Sequence, residues 1–262
     1  MKTALELINV TQKYQNKILL HNINLKIKYH NFTVLFGESG SGKTTLIKTI
    51  MKETKLIKGK LKLYDFNEVE LAYTRNNLYK KIQIVDQNFQ QYFNPFFTVY
   101  DFLLESIQIE HNLHYSEDYL NINTLEKERI IKYSLSLFNL SESLLYSNIQ
   151  TLSFGQQQRL MLCRMLILKP DIIILDEATS SWDVFNILFF LKQIQRFFKT
   201  LLVISHNIRI FAQFADHIII LKKGKIYENI NNIKQHNILT LIEQNKYPFK
   251  NSYSRQLFKK AI

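Results

Sequence analysis

Three of the six glycines in this 262-residue chain fall within one short run, Gly37-Glu38-Ser39-Gly40-Ser41-Gly42-Lys43-Thr44-Thr45. A chain of average composition and this length would carry about 18 glycines, so a cluster against so poor a background is not loop filler. The run fits G-x-x-x-x-G-K-[ST], in which glycines let the backbone curl until successive N–H groups converge on phosphate oxygens. Residues 33–36 before it read as a buried strand, and residues 45–51 behind it as a helix, which is the context the spacing requires. In that frame Lys43 reaches the β- and γ-phosphates and Thr44 places its hydroxyl on Mg²⁺, while the helix N-terminus adds partial positive charge. The plain alternative is a glycine-rich strand-to-helix turn that holds no ligand.

Composition narrows the classes that can carry such a site. With 46% hydrophobic residues the chain can bury a full core, as one large domain or as a core with an inserted subdomain. No apolar run reaches the ~18 residues of a membrane-spanning helix, and residues 1–10 carry no secretory pattern, so a soluble, cytoplasmic protein is expected. The single cysteine, Cys163, excludes an internal disulfide and any cluster held by several thiolates, and its apolar helical surroundings read as core. A formal charge of +12 invites a nucleic-acid or anionic-membrane partner. The lysines are scattered rather than blocked, however, so no nucleic acid is expected, and the densest cluster, Lys222-Lys223-Gly224-Lys225, reads as a hairpin turn.

Strand patterns occupy residues 4–10, 23–27 and 33–36, followed after the first helix by an alternating edge strand over 59–64 and a short apolar strand over 82–85. Residues 90–169 differ in kind. Helical periodicity over 99–107, 130–138 and 156–168 marks an inserted helical subdomain. Buried strands return at 172–175 and 201–204, separated by an amphipathic helix over 184–198, and short apolar runs alternating with helices predict a parallel sheet covered on both faces. Beyond residue 226 the chain becomes polar and rich in asparagine, and 242–262 reads as a tail.

A second constellation lies in Ile172-Ile173-Ile174-Leu175-Asp176-Glu177, a hydrophobic strand ending in acid. Asp176 is placed to hold Mg²⁺ through water and Glu177 to polarise an attacking water. Ahead of it, Leu152-Ser153-Phe154-Gly155-Gln156-Gln157-Gln158-Arg159 resembles the LSGGQ signature of ATP-binding-cassette (ABC) ATPases. The remaining motifs then fall in that family's order: Tyr14 where an aromatic stacks on adenine, Gln87 in the Q-loop, Asp183 in the D-loop, and His206 in the switch position. The resemblance runs over about residues 5–228.

It implies a P-loop NTPase (RecA-like) α/β core with a parallel sheet, an N-terminal antiparallel β subdomain and the helical insertion, all within residues 3–241. It also implies ATP and Mg²⁺ as ligands, with Gly37, Glu38, Ser39, Gly40, Ser41, Gly42, Lys43, Thr44 and Thr45 on the phosphates. Thr44, Gln87 and Asp176 would serve the metal; Glu177, His206 and Gln87 would serve hydrolysis. Ser153, Gly155, Gln156 and Asp183 would close on ATP bound to a second ATPase subunit, in a homo- or heterodimer.

The stretch from Gln87 to Val99, with Asn94-Pro95 and Thr98-Val99, resembles the Q-loop of peptide and nickel importer ATPases. The implied role is that of an importer's ATP-hydrolysing subunit for nickel, another metal chelate or oligopeptides, on the cytoplasmic face of the inner membrane. Its partners would be integral-membrane permeases and, indirectly, an extracytoplasmic substrate-binding protein. Phe154 departs from the family by replacing the first glycine of the signature pair, and its ring is expected near the phosphate contact. Two other readings stand: from Phe154, a nucleotide-dependent clamp with a degenerate signature site, and from the charge of +12, a non-transport ABC ATPase acting on nucleic acid.

Overall fold

The computed structural model describes residues 1–15, 17–86, 88–114, 123–176, 184–198, 200–205, 210–211, 213–231 and 249–260. In chain order its first half contains β1 (Thr3–Tyr14), β2 (Lys17–Lys28), β3 (Phe32–Phe36), α1 (Lys43–Ile50), β4 (Lys58–Tyr64), β5 (Glu70–Leu71), α2 (Arg75–Lys81) and β6 (Ile82–Asp86). Three helices follow, α3 (Val99–His114), α4 (Thr124–Leu137) and α5 (Phe154–Leu168). The chain then returns to β7 (Ile172–Asp176), α6 (Val184–Phe197), β8 (Leu201–Ser205), β9 (His217–Lys222), β10 (Lys225–Asn231) and a terminal helix α7 (Ser252–Lys260).

The central sheet has the order β10-β9-β3-β8-β7-β6, and every pairing in it is parallel except that of β10 with β9. Its inner strands β3, β8 and β7 are continuous apolar runs because both faces are covered. Alternate residues divide cleanly between two cores. Val34, Ile173, Leu175, Val203 and Ile218 face the side of α3 to α6, while Leu35, Ile172, Ile174, Leu202 and Ile219 face α1 and the N-terminal sheet. Fully burying each such side chain is worth about 1.5–3 kcal/mol, and a register slip by one residue would exchange the two sets.

The N-terminal sheet is antiparallel, in the order β2-β1-β4-β5. Residues 59–64 are thus not an edge strand: β5 pairs with the outer side of β4, at Leu63↔Leu71 and Tyr64↔Glu70. The Tyr29 hydroxyl ties the two sheets together, bonding the Tyr64 carbonyl at 2.8 Å and Asp171 Oδ2 at 2.9 Å, and Lys81 meets the same carboxylate at 2.7 Å. Burial, with Asp171 next in effect, raises the phenol's pKa and keeps it a donor.

Between β6 and β7, helices α3, α4 and α5 supply much of the larger core, including Phe102, Leu103, Ile131, Leu135, Leu160 and Leu162. Cys163 is wholly buried there, and burial pushes its thiol up to about 12, so it behaves as the small hydrophobe expected. The hairpin turn expected at Lys222–Lys225 joins β9 to β10, with Lys223 and Gly224 both at positive φ. The strands on either side of that turn, β9 and β10, extend the central sheet, and β10 makes it mixed rather than purely parallel. The expected tail also carries structure: Phe249 is 1% exposed in the core, and Lys222 Nζ sits 3.4 Å over the ring of Tyr253 on α7.

Candidate functional site

The glycine run leaves the C-terminal end of β3 and turns directly into α1. Gly37 has no room for a side chain: an added Cβ would lie 2.4 Å from the Leu221 carbonyl oxygen and 2.7 Å from Ser41 Oγ. Gly42 adopts φ 108°, where L side chains are strained, and stands as the N-cap of α1 without any side-chain hydrogen bond to the helix. With no acidic residue in the first turn either, the partial positive charge of this helix end is left for a ligand.

Lys43 is buried, and its Nζ donates to the carbonyls of Gly37 at 2.9 Å and Glu38 at 3.1 Å, so the ammonium lies under the arch of the loop. Ser41 Oγ is buried with no hydrogen-bond partner among the described residues, a polar atom aimed into the loop. Thr44 is exposed on the first turn of α1. The loop is buttressed from outside by the β9–β10 turn, whose Gly224 N–H donates to the Ser41 carbonyl at 2.8 Å. Strand β2 passes beneath, with Leu19 O and Leu20 Cδ2 within 3.2 Å of a Cβ built on Gly42. The hairpin formed by β1 and β2 ends in Tyr14, 65% exposed, as a stacking platform requires.

Parallel pairing brings other chemistry to the same sheet edge. Phe36 is in register with Ser205, Asp176 with Ile204, and Asp86 with Asp176, so β3, β8, β7 and β6 all end together, where open α/β sheets bind ligands. Gln87, Glu177 and His206 directly follow three of these strand ends in sequence; with Asp183 they lie outside the described residues. Asp86 is a residue that motif reading missed. Its carboxylate accepts from Asn88 N at 2.9 Å, Gln91 Nε2 at 3.2 Å and Tyr92 OH at 2.6 Å, fixing the turn that follows Gln87. Burial and this bond push the Tyr92 phenol up to about 12. The signal in the sequence was a second apolar strand ending in acid.

Ser153 is the N-cap of α5, and its hydroxyl accepts from Gln156 N at 3.3 Å while Gln156 Oε1 accepts from Ser153 N at 2.8 Å. This capping box accounts locally for the Ser-x-x-Gln spacing. Gly155 looks into open space, with nothing within 4 Å of an added Cβ. Phe154, whose ring is expected near a phosphate contact, lays it against Phe89, with ring centroids 5.5 Å apart. The signature is thereby packed on the turn after Gln87, with Phe154 still 40% exposed.

Residues 20–180, more than half of the chain, match the family model of ABC transporters. The Probable ABC transporter ATP-binding protein p29 of Mesomycoplasma hyorhinis is 30% identical over 234 residues, covering 85% of this chain and 89% of that one. The Zinc uptake system ATP-binding protein ZurA of Listeria monocytogenes is 29% identical over 90% of this chain and 89% of its own. The Dipeptide transport ATP-binding protein DppD of Caldanaerobacter subterraneus is 31% identical over 79% of this chain and 64% of its own. Among solved structures, cbiO1 of Clostridium perfringens, part of the ABC transporter complex cbiONQ, is similar in fold, with a TM-score of 0.75 at 21% identity over 100% of both chains. Among the described residues no helix is long and apolar enough to cross a membrane. With the phosphate loop, the acid-ended strand and the capped signature helix in place, the chain belongs to the ATP-binding subunits of ABC transporters, a family that binds and hydrolyses ATP.

Proposed function

We propose that this chain hydrolyses ATP to drive an importer for nickel, another metal chelate or oligopeptides. The observation that carries the reading is the shared sheet edge: a phosphate loop closed too tightly for any side chain at Gly37, beside the strand end that presents Asp176. In this reading Tyr14 stacks on adenine, the 37–45 loop holds the phosphates, Glu177 is the general base and His206 senses the γ-phosphate. The unpartnered Ser41 hydroxyl, the bare end of α1 and the exposed Thr44 suit a Mg²⁺-triphosphate, with Thr44, Gln87 and Asp176 toward the metal. When bound, Mg²⁺ neutralises charge on the phosphate oxygens.

Residues 3–241 form the catalytic domain in this reading, with 90–169 as its helical insertion and 242–262 as its tail. Ser153, Gly155, Gln156 and Asp183 face ATP held by a second ATPase subunit. Docking on the permeases at the cytoplasmic face of the membrane falls to the loop before α3, where Phe96 is 86% exposed. Beside that loop Tyr146, 72% exposed, lies tilted against Tyr100, with ring centroids 5.9 Å apart. The metal and peptide alternatives are supported by the names of ZurA and DppD and by the residues from Gln87 to Val99. Against the clamp reading stands Glu177, the general base that the sequence retains.

The test is steady-state ATP hydrolysis by the full-length chain against Glu177→Gln. Loss of a general base should slow turnover by about 100-fold or more. Equal rates in the two proteins would overturn the enzymatic reading.

A further inference from the structure

Phe154 occupies the first helical position of α5, where the ABC signature has a glycine, and its ring contact with Phe89 is a first grip between this helix and the 3₁₀ turn Phe89–Tyr92. The second is a hydrogen bond from Gln90 Nε2 to Gln157 Oε1, and Gln157 Nε2 in turn donates to the Ile149 carbonyl at 3.1 Å. Phe89 is itself 1% exposed and leads inward, edge to face with Phe93 at 5.9 Å, which meets Phe102 of α3 at 5.1 Å. The guanidinium of Arg164, also on α5, lies 4.8 Å over the ring of Phe102. A continuous aromatic line therefore starts at the signature, runs through the turn after Gln87 and ends beneath the same helix.

A glycine at position 154 would remove the side chain that carries this ring contact from the first turn of α5 to Phe89. The hydrogen bond between exposed Gln90 and buried Gln157 would then hold the turn without the ring. Gly155, the next residue, has nothing within 4 Å of an added Cβ.

We propose that Phe154 is a positioning residue, a latch whose ring fixes the first turn of the signature helix to the turn that follows Gln87, so that the two move as one body. Its consequence for turnover rests on the function proposed above. Replacement of the family glycine is then a gain of coupling, and restoring glycine should harm the protein.

Amide hydrogen exchange on the full-length chain tests the latch without reference to activity. In Phe154→Gly, the N–H groups of Gln91 and Phe93, which donate to Asn88 O and Gln90 O, should exchange about five-fold faster or more. Phe154→Leu should restore most of the protection. Phe89→Leu should loosen residues 154–157 in the same way, and the double variant should be no looser than the worse single one. Turnover should follow: kcat falls several-fold in Phe154→Gly while KM for ATP holds, because the phosphate loop is untouched. Unchanged exchange at residues 88–93, or a kcat equal to or above that of the unsubstituted chain, overturns the latch. An unsubstituted chain that hydrolyses no ATP would instead refute the function, leaving the exchange result to decide the latch.

Discussion

The carbonyl oxygen of Leu221 sets the size of residue 37. At 2.4 Å from a would-be Cβ it belongs to backbone in the middle of a sheet, which cannot give way as a flexible side chain could. Gly37→Ala should therefore force the loop off β9 and disturb Ser41 and Lys43 with it, weakening nucleotide binding by about ten-fold or more, of order 1.4 kcal/mol. A fluorescent nucleotide titrated against both proteins would show it, and an affinity within two-fold of the original would mean that the loop can relax. This site was legible because its residues are contiguous: spacing alone names Gly37, Gly42 and Lys43. The contact of Phe154 with Phe89 was not, since nothing local relates residues 65 positions apart. Asp86 stayed unread for a related reason, because its work is to hold neighbours rather than to complete a motif.

Elements divide along the same line between local pattern and tertiary context. The runs that became β3, β7 and β8 announce themselves, for a strand buried on both faces needs every position apolar. Ile218 to Leu221 carries that signal equally well and forms β9. Strand β10 carries none: it lies at the sheet's edge with only Glu228 buried, so its sequence reads as polar tail. What holds the pair includes a polar contact between His217 of β9 and Asn229 of β10. His217 is 5% exposed; burial lowers its pKa below the ordinary 6.5, with the Asn229 contact opposing and Lys28 adding to the fall. The folded protein thus keeps the ring neutral at pH values where the unfolded chain has begun to take up a proton. Above pH 6.5 the group has no effect on stability, and as pH falls from there toward the lowered folded value it costs stability progressively. Urea midpoints at about pH 7.5 and about pH 5.5 should fall farther for the unsubstituted chain than for His217→Gln. Parallel declines would show that the ring is protonated in the fold.

At the scale of the molecule, the two halves of the proposed site stand on different layers. The phosphate loop rises from the central sheet, and the signature caps a helix anchored to the turn after β6. If ATP is closed between two copies, each needs the loop of one chain and the signature of the other, and the halves can be broken separately. Lys43→Ala removes the buried ammonium, and Gly155→Trp adds bulk where the chain itself offers nothing within 4 Å, so the fold is spared while a facing subunit is blocked. Each variant alone should be inactive. Mixed and allowed to exchange, half of the dimers would pair one of each, and such a dimer holds one site with both substitutions and one with neither. Activity should therefore return to about a quarter of the unsubstituted level, the product of half the dimers and one site in two, as head-to-tail pairing of complementary surfaces demands. A site completed within one chain gives no rescue at any ratio. Rescue that grows with protein concentration, measured as ATP turnover of the mixture, would place the missing half of the active site on the second copy.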